Sequence, residues 1–194
     1  GTRYAGSQVQ ANALTVQAEL ERALGIFLRS PVTVTGSSRT GAGVHAIQNF
    51  YHFDWPEIIP EKAAYNITAI LPLDVVVSKL ILVGPEAHCR FDAISREYEY
   101  HLTRVRNPFL EDRALFYPYS IDLEAMAVAA GIVKEYRDFT SFSKRNTQAK
   151  TFECEVMESR GVGGEEMVWY YVKANRFLRG MVRGLVGTML QVGR

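Results

Sequence analysis

VTVTGSSRTGAGVHAIQNFYHF, residues 32–53, is the stretch around which the rest of the chain can be read. Val32 and Val34 alternate with Thr33 and Thr35, the period of a half-buried strand. Residues 46–53 are rich in aromatic and amide side chains and predict a second strand. Between them lies a tight polar loop, Gly36-Ser37-Ser38-Arg39-Thr40-Gly41-Ala42-Gly43. Strands at both ends fix such a loop in place, so it is well suited to aiming one side chain. Arg39 is the side chain to aim.

Working outward, Thr15 is the expected N-cap of a helix to about residue 28, with Val16, Leu20, Leu24, Phe27 and Leu28 as its apolar stripe. A short helix is expected over residues 61–71, then a buried strand over 75–83. Tyr98 and Tyr100 lie two apart and share one face of a strand. Asp122 is placed to cap a helix to about residue 136, with Leu123, Met126, Ala130 and Val133 inward. Residues 138–150 form a polar, basic connection. Residues 152–158 and 167–173, joined by a glycine turn at 161–164, read as a hairpin. A last helix is expected over 175–190, with Phe177, Met181, Leu185 and Met189 as its core stripe and Arg176, Arg179 and Arg183 along another face. That face is either solvated or set against something negative. Gly180, Gly184 and Gly187 each cost about 1 kcal/mol of helix propensity, and close packing is the expected compensation.

The 194 residues suffice for one large domain or two small ones, and a hydrophobic fraction of 47% supports a sizeable core. The pattern predicts an α+β fold in two halves, 1–100 and 101–194, the first carrying the SSRTGAGVHA loop and the second the FLRGMVRG helix. A net charge of +1 provides no global field for nucleic acid, so any such binding needs a local cluster. Sixteen of the 22 basic residues are arginine, which suits bidentate phosphate or base contacts as well as it suits ordinary composition. Cys89 and Cys154 have neither metal-type spacing nor disulfide density, and no apolar run is long enough for a membrane span. A soluble, cytoplasmic protein is expected.

SSRTGAGVHA resembles the signature loop of the tRNA pseudouridine synthase A family, which usually reads GRTDAGVHA. Four more stretches fit that family in order. GTRYAGSQ with Thr15-Val16-Gln17 is similar to its GTxYxGWQ…TVQ opening. Arg96-Glu97-Tyr98-Glu99-Tyr100 is similar to its RxYxY strand. Asp138-Phe139-Thr140-Ser141-Phe142 with Lys150-Thr151 is similar to its DFTSF…[KR]T segment. Phe177-Leu178-Arg179-Gly180-Met181-Val182-Arg183 with Val186-Gly187-Thr188 is similar to its FLxxMVRxxVGT helix. Relative to that pattern, a first strand before Gly1 and a closing segment after Arg194 are expected to be missing.

The resemblance implies two ferredoxin-like halves sharing a central, mostly antiparallel sheet, with helices on one face and a basic cleft on the other. It implies a homodimer that isomerises uridine to pseudouridine in the anticodon arm of tRNA, with no metal and no cofactor. A base inside a stem must be extruded to be reached, and Arg39 matches the residue that fills the gap. Tyr98 matches the tyrosine that stacks on the flipped base. Arg183 matches the arginine that aims and ionises the catalytic carboxylate. That carboxylate is what this sequence lacks, because Gly41 stands where the family has its aspartate. Asp54, Asp74 and Asp92 do not replace it by position. The expectation is a chain with little isomerase activity; the alternative is a non-catalytic RNA-binding relative. Ser7, where the family has tryptophan, and Gly180, where it has a larger residue, agree with a relaxed site.

Each residue also has a plain structural reading. Arg39 could bond loop carbonyls, and Tyr98 could pack across strands. His45 reads as a structural donor before a catalyst. Arg90, with His88, could reach a phosphate or a sheet carboxylate. Lys144, Arg145 and Lys150 could contact RNA or simply sit in water, as could Arg176 and Arg179.

Overall fold

A computed structural model describes the whole chain apart from Asn146 and Gln148, so that part of the 138–150 connection lies outside the described residues. The fold is mixed α and β, with four α-helices and two sheets among the described residues. It divides into two compact units, Gly1–Ala93 and Ile94–Arg194.

In the first unit, α1 (Val16–Leu28) begins where the sequence predicts. Thr15 is extended and its hydroxyl accepts the amide of Ala18 at 3.3 Å, satisfying one donor that the first turn leaves open. The helix α2 (Ala63–Ile70) packs beside it. Leu20, Ala23 and Leu24 bury against Ala63, Ile67, Leu71 and Val34. The two strands expected around the polar loop shorten to an antiparallel pair, β1 (Thr35–Gly36) and β2 (Tyr51–His52). Gly36 has to be glycine at this pairing, because a Cβ there would lie 2.9 Å from Cε1 of Tyr51.

The strand expected over 75–83 does not form. Its residues alternate, with Val75, Val77 and Leu80 on the core and Val76, Ile81, Leu82 and Val83 exposed. No described strand lies alongside to complete a ladder, and extended backbone without a partner is not a sheet. The hydroxyl of Thr68 serves instead, accepting the amide of Val77 and donating to its carbonyl.

The second unit is a four-stranded sheet in the order β4 (Leu115–Phe116), β3 (Arg96–Thr103), β6 (Met167–Ala174), β5 (Val156–Gly163). It is antiparallel except at the β3–β4 edge, and β5 carries an irregularity between Val156 and Glu158. The β5–β6 hairpin is as expected, but the strand runs on through Gly161–Gly163 and the turn falls at 164–166. Val168, Tyr170, Val172 and Ala174 of β6 all face the core, the period of two that buries one sheet face. Two helices cover that face. In α3 (Leu123–Val133), Asp122 caps with its carboxylate and Met126, Ala130 and Val133 are buried. In α4 (Met181–Val192), Met181, Leu185 and Met189 are fully buried. The described strands thus form one sheet in each unit, where a single shared sheet is expected.

The last helix starts six residues later than its pattern predicts. Gly180 has φ +88°, a left-handed backbone that a regular helix cannot include. The segment before it is tied to the sheet, because Asn175 exchanges backbone and side-chain hydrogen bonds with Glu155 and accepts from Arg96. Arg176 and Arg179 therefore precede the helix, and the expected row of three arginines along one helical face does not exist.

Candidate active site

The loop after β1 is fixed by polar contacts with residues more than thirty positions earlier. Ser7 is buried, and its hydroxyl accepts the amide of Thr40 at 2.8 Å and donates to the carbonyl of Ser38 at 3.3 Å. Its own amide donates to the carbonyl of Thr40 at 3.1 Å. Its carbonyl accepts from Gln17 in the first turn of α1 at 2.9 Å, so the loop is referred to that helix. Gly6 permits the approach: at φ +119°, a Cβ there would stand 2.8 Å from the Thr40 carbonyl. The amide of Gly43 reaches the carbonyl of Tyr4, and Ser37 and Asn49 join their side chains at 2.7 Å across the loop base. Ser7 is thus a closely held position and not a sign of a relaxed site.

Between these tethers Arg39 and Gly41 are exposed. Gly41 does not use the freedom of a glycine. Its φ is not positive, and no atom lies within 4 Å of where a Cβ would stand. A side chain there would project into open space without strain. Gly43, at φ +77°, is the loop glycine whose conformation needs to be one. Arg39 and Arg90 line a polar pocket of about 160 Å³ with Ser7, Gln8, Gln17, Ser38 and Tyr51. No carboxylate lines it. His45 is exposed two residues beyond Gly43. His88 takes the amides of Arg90 and Phe91 on its Nδ1 and stacks on the Phe91 ring at 4.1 Å, which makes it a turn-forming residue. Asp74 accepts the Tyr4 hydroxyl at 2.8 Å and Asp92 accepts the His88 amide at 2.7 Å, so both of these acids have local structural work.

In the second unit, Tyr98 is half-buried on β3 opposite Val172, with its ring edge-on to Phe177 at 5.0 Å and 87°. Burial raises its pKa, with the Arg96 guanidinium pulling the other way, so at neutral pH it is a phenol and not a phenolate. Arg183 is exposed in the first turn of α4. The Lys144 amide donates to the Arg179 carbonyl at 2.8 Å, and its aliphatic stem lies where a Cβ on Gly180 would come within 3.1 Å. The φ at position 180 favours glycine, and the close Lys144 stem adds to that preference. Arg176 donates to the Thr151 hydroxyl at 3.0 Å, beside Lys150. The structure thus joins Lys144 to Arg179, and Arg176 to the 150–151 stretch, around the start of α4. Arg145 and Lys150 are exposed. A second pocket of about 280 Å³, around Asn107, Phe109 and Glu166, contains none of the expected site residues.

Sequence reading did not single out Gly6, and it named Ser7 only as a departure from the family's tryptophan. The only local signal was a glycine followed by a small polar residue, and their partners are distant in the chain.

Residues 136–194 match the family model described as tRNA pseudouridine synthase. The chain is 44% identical over 197 residues to tRNA pseudouridine synthase A of Parabacteroides distasonis, covering all of this chain and 78% of that protein. It is 43% identical over 198 residues to the protein of that name from Porphyromonas gingivalis, covering all of this chain and 79% of the relative. With the enzyme of that name from Azobacteroides pseudotrichonymphae it shares 40% identity over 195 residues, again across all of this chain and 78% of the relative. By this identity across its whole length, the chain belongs to the tRNA pseudouridine synthase A family of isomerases.

Proposed function

We propose that the chain carries the apparatus for converting uridine to pseudouridine in the anticodon arm of tRNA, and that Gly41 in place of the nucleophilic aspartate leaves this copy with little turnover. The observation that carries the reading is the loop itself. Arg39 stands exposed on a backbone held on either side, and the neighbouring position 41 is open, unstrained and empty of any carboxylate.

In the reaction, the bond between N1 of uracil and C1′ of ribose breaks. The ring turns, C5 bonds to C1′, the proton leaves C5 and N1 gains one. Arg39 fills the gap left by the extruded nucleotide and Tyr98 stacks on its base, with a neutral hydroxyl available to move a proton. A carboxylate at position 41 would attack or stabilise the reacting sugar or ring, with Arg183 aiming it. In this copy Arg183 takes a phosphate instead. Arg90, Lys144, Arg145, Lys150, Arg176 and Arg179 take backbone phosphates, and His45 supports the loop. The same reading makes the protein a cytoplasmic homodimer of ferredoxin-like halves, parted near residue 100, that needs neither metal nor cofactor.

The test is pseudouridine formation on unmodified tRNA by this chain and by its Gly41→Asp variant. Loss of a transition-state charge is worth on the order of a thousandfold in rate, so the variant is expected to be faster by about that factor. Equal activity in the two proteins contradicts the reading. A second reading, a non-catalytic RNA-binding relative, is favoured by the missing carboxylate. It predicts tRNA binding in both proteins and turnover in neither. In either case affinity should fall steeply with salt, because several phosphates are neutralised. No binding at low salt eliminates both.

A further inference from the structure

We infer that Ser7 is a positioning residue for Arg39. Ser7 grips the backbone on both sides of the arginine: the carbonyl of Ser38 before it, and the amide and carbonyl of Thr40 after it. Two of these three bonds use the hydroxyl oxygen, so removing that single atom releases the Ser38 carbonyl and the Thr40 amide at once and leaves only the backbone bond from the Ser7 amide to the Thr40 carbonyl. The grip is anchored at the other end, where the Ser7 carbonyl takes the Gln17 amide in the first turn of α1, and α1 is seated in the core of the unit by Leu20, Ala23 and Leu24. The same helix holds the loop's stem: Gln17 donates to the Val34 carbonyl at 2.9 Å, and Glu21 accepts the Val34 amide at 3.0 Å. A rigid helix is thereby coupled through Ser7 to an exposed arginine that itself makes none of these bonds. A wedge that must enter a stacked duplex works only if its backbone does not yield, and small misplacements of a reacting group are expensive.

This inference rests on the proposed function for its activity arm alone, so two measurements are needed. The first is amide exchange in the chain as it stands, with and without Ser7→Ala. Losing one buried hydrogen-bond partner corresponds to about tenfold faster exchange at Thr40, with the amides of α1 unchanged. Unchanged exchange at Thr40 overturns the inference. So does acceleration throughout α1, which would make Ser7 a general prop of the unit.

The second is turnover in the Gly41→Asp background. Ser7→Ala is expected to lower kcat by about tenfold or more at nearly constant KM. Once Arg39→Ala is present, it should have little further effect, since it acts through that arginine. A rise in KM at constant kcat, or full additivity with Arg39→Ala, overturns the inference. An inactive Gly41→Asp protein counts against the proposed function instead, and the exchange measurement then decides the role of Ser7 alone.

Discussion

The arginine loop of the first unit and the sheet–helix layer of the second are held together by different physics. In the second unit three strands of eight residues each lie under two helices, with sixteen buried apolar residues in one cluster. In the first, the loop rises from a pair of two-residue strands over a cluster of seven. Apolar packing is non-directional and scales with the area buried, whereas a hydrogen-bonded tether depends on the placing of single atoms. The loop should therefore be the part where substitutions change chemistry at small cost in stability, and the layer the part where they do the reverse.

Gly41→Asp tests the first half of that contrast with the largest expected effect. Position 41 is exposed, its φ is ordinary and its Cβ would meet nothing. The substitution should raise isomerase activity by roughly a thousandfold and move stability by no more than about 0.5 kcal/mol. A marked drop in melting temperature would show that position 41 carries stability as the buried layer does, and would break the contrast.

Leu185→Ala tests the other half. Leu185 is fully buried in α4 among Met181, Met189 and Tyr170 of the same cluster. Truncation removes its burial and leaves a cavity, at a cost of about 2–5 kcal/mol, read as a lowered urea midpoint. Arg183, exposed on the same helix, is a useful contrast, because its truncation should cost little stability. A Leu185→Ala cost below about 1 kcal/mol would mean that the layer relaxes as readily as the loop.

What could be read beforehand follows the same division. Thr15 and Asp122 were legible as caps, and a hairpin was legible over 152–173, observed as Val156–Gly163 with Met167–Ala174, because caps and alternation are local and repeat at fixed spacing. The 75–83 run alternates as a strand does, but no described neighbour supplies its ladder, and that is not a property of the run. The apolar spacing of Phe177 and Met181 continues the stripe of α4, yet the left-handed Gly180 sits between them and the helix starts only after it. Glycine had been counted there as a helix residue with a penalty, when its value was the positive φ. In the site, Arg39 stood out as the side chain that a loop between strands would aim, and Gly41 because a resemblance framed it. Ser7 was misread because the same frame recorded only what it lacked relative to tryptophan. Its bonds run to residues 38 and 40, a separation that no window of local pattern covers.

The smallest expected effect concerns Tyr4, which supports the loop through its backbone carbonyl and Asp74 through its hydroxyl. Burial, reinforced by the Asp74 carboxylate, pushes its pKa up to about 12 from an ordinary value of 10. The folded state thus prefers the neutral phenol more than the unfolded state does. The resulting stabilisation is complete below pH 10, and it is lost as pH rises from there towards about 12. Tyr98 and Tyr170 of the second unit, and Tyr51 at the base of the loop, are also raised by burial, so a global melt will show alkaline weakening in any case. A local measurement removes the second unit's share, and comparison with Tyr4→Phe removes that of Tyr51: protection of the α1 and loop amides should fall across that pH window in this chain. Tyr4→Phe should flatten that fall while sacrificing about 1 kcal/mol at neutral pH through the lost hydrogen bond to Asp74. If Tyr4→Phe leaves the slope in the first unit unaltered, the hydroxyl is not what ties Asp74 to the loop's support. The first unit would then owe its order to the apolar cluster under α1, as the second owes its own to the packing beneath α4.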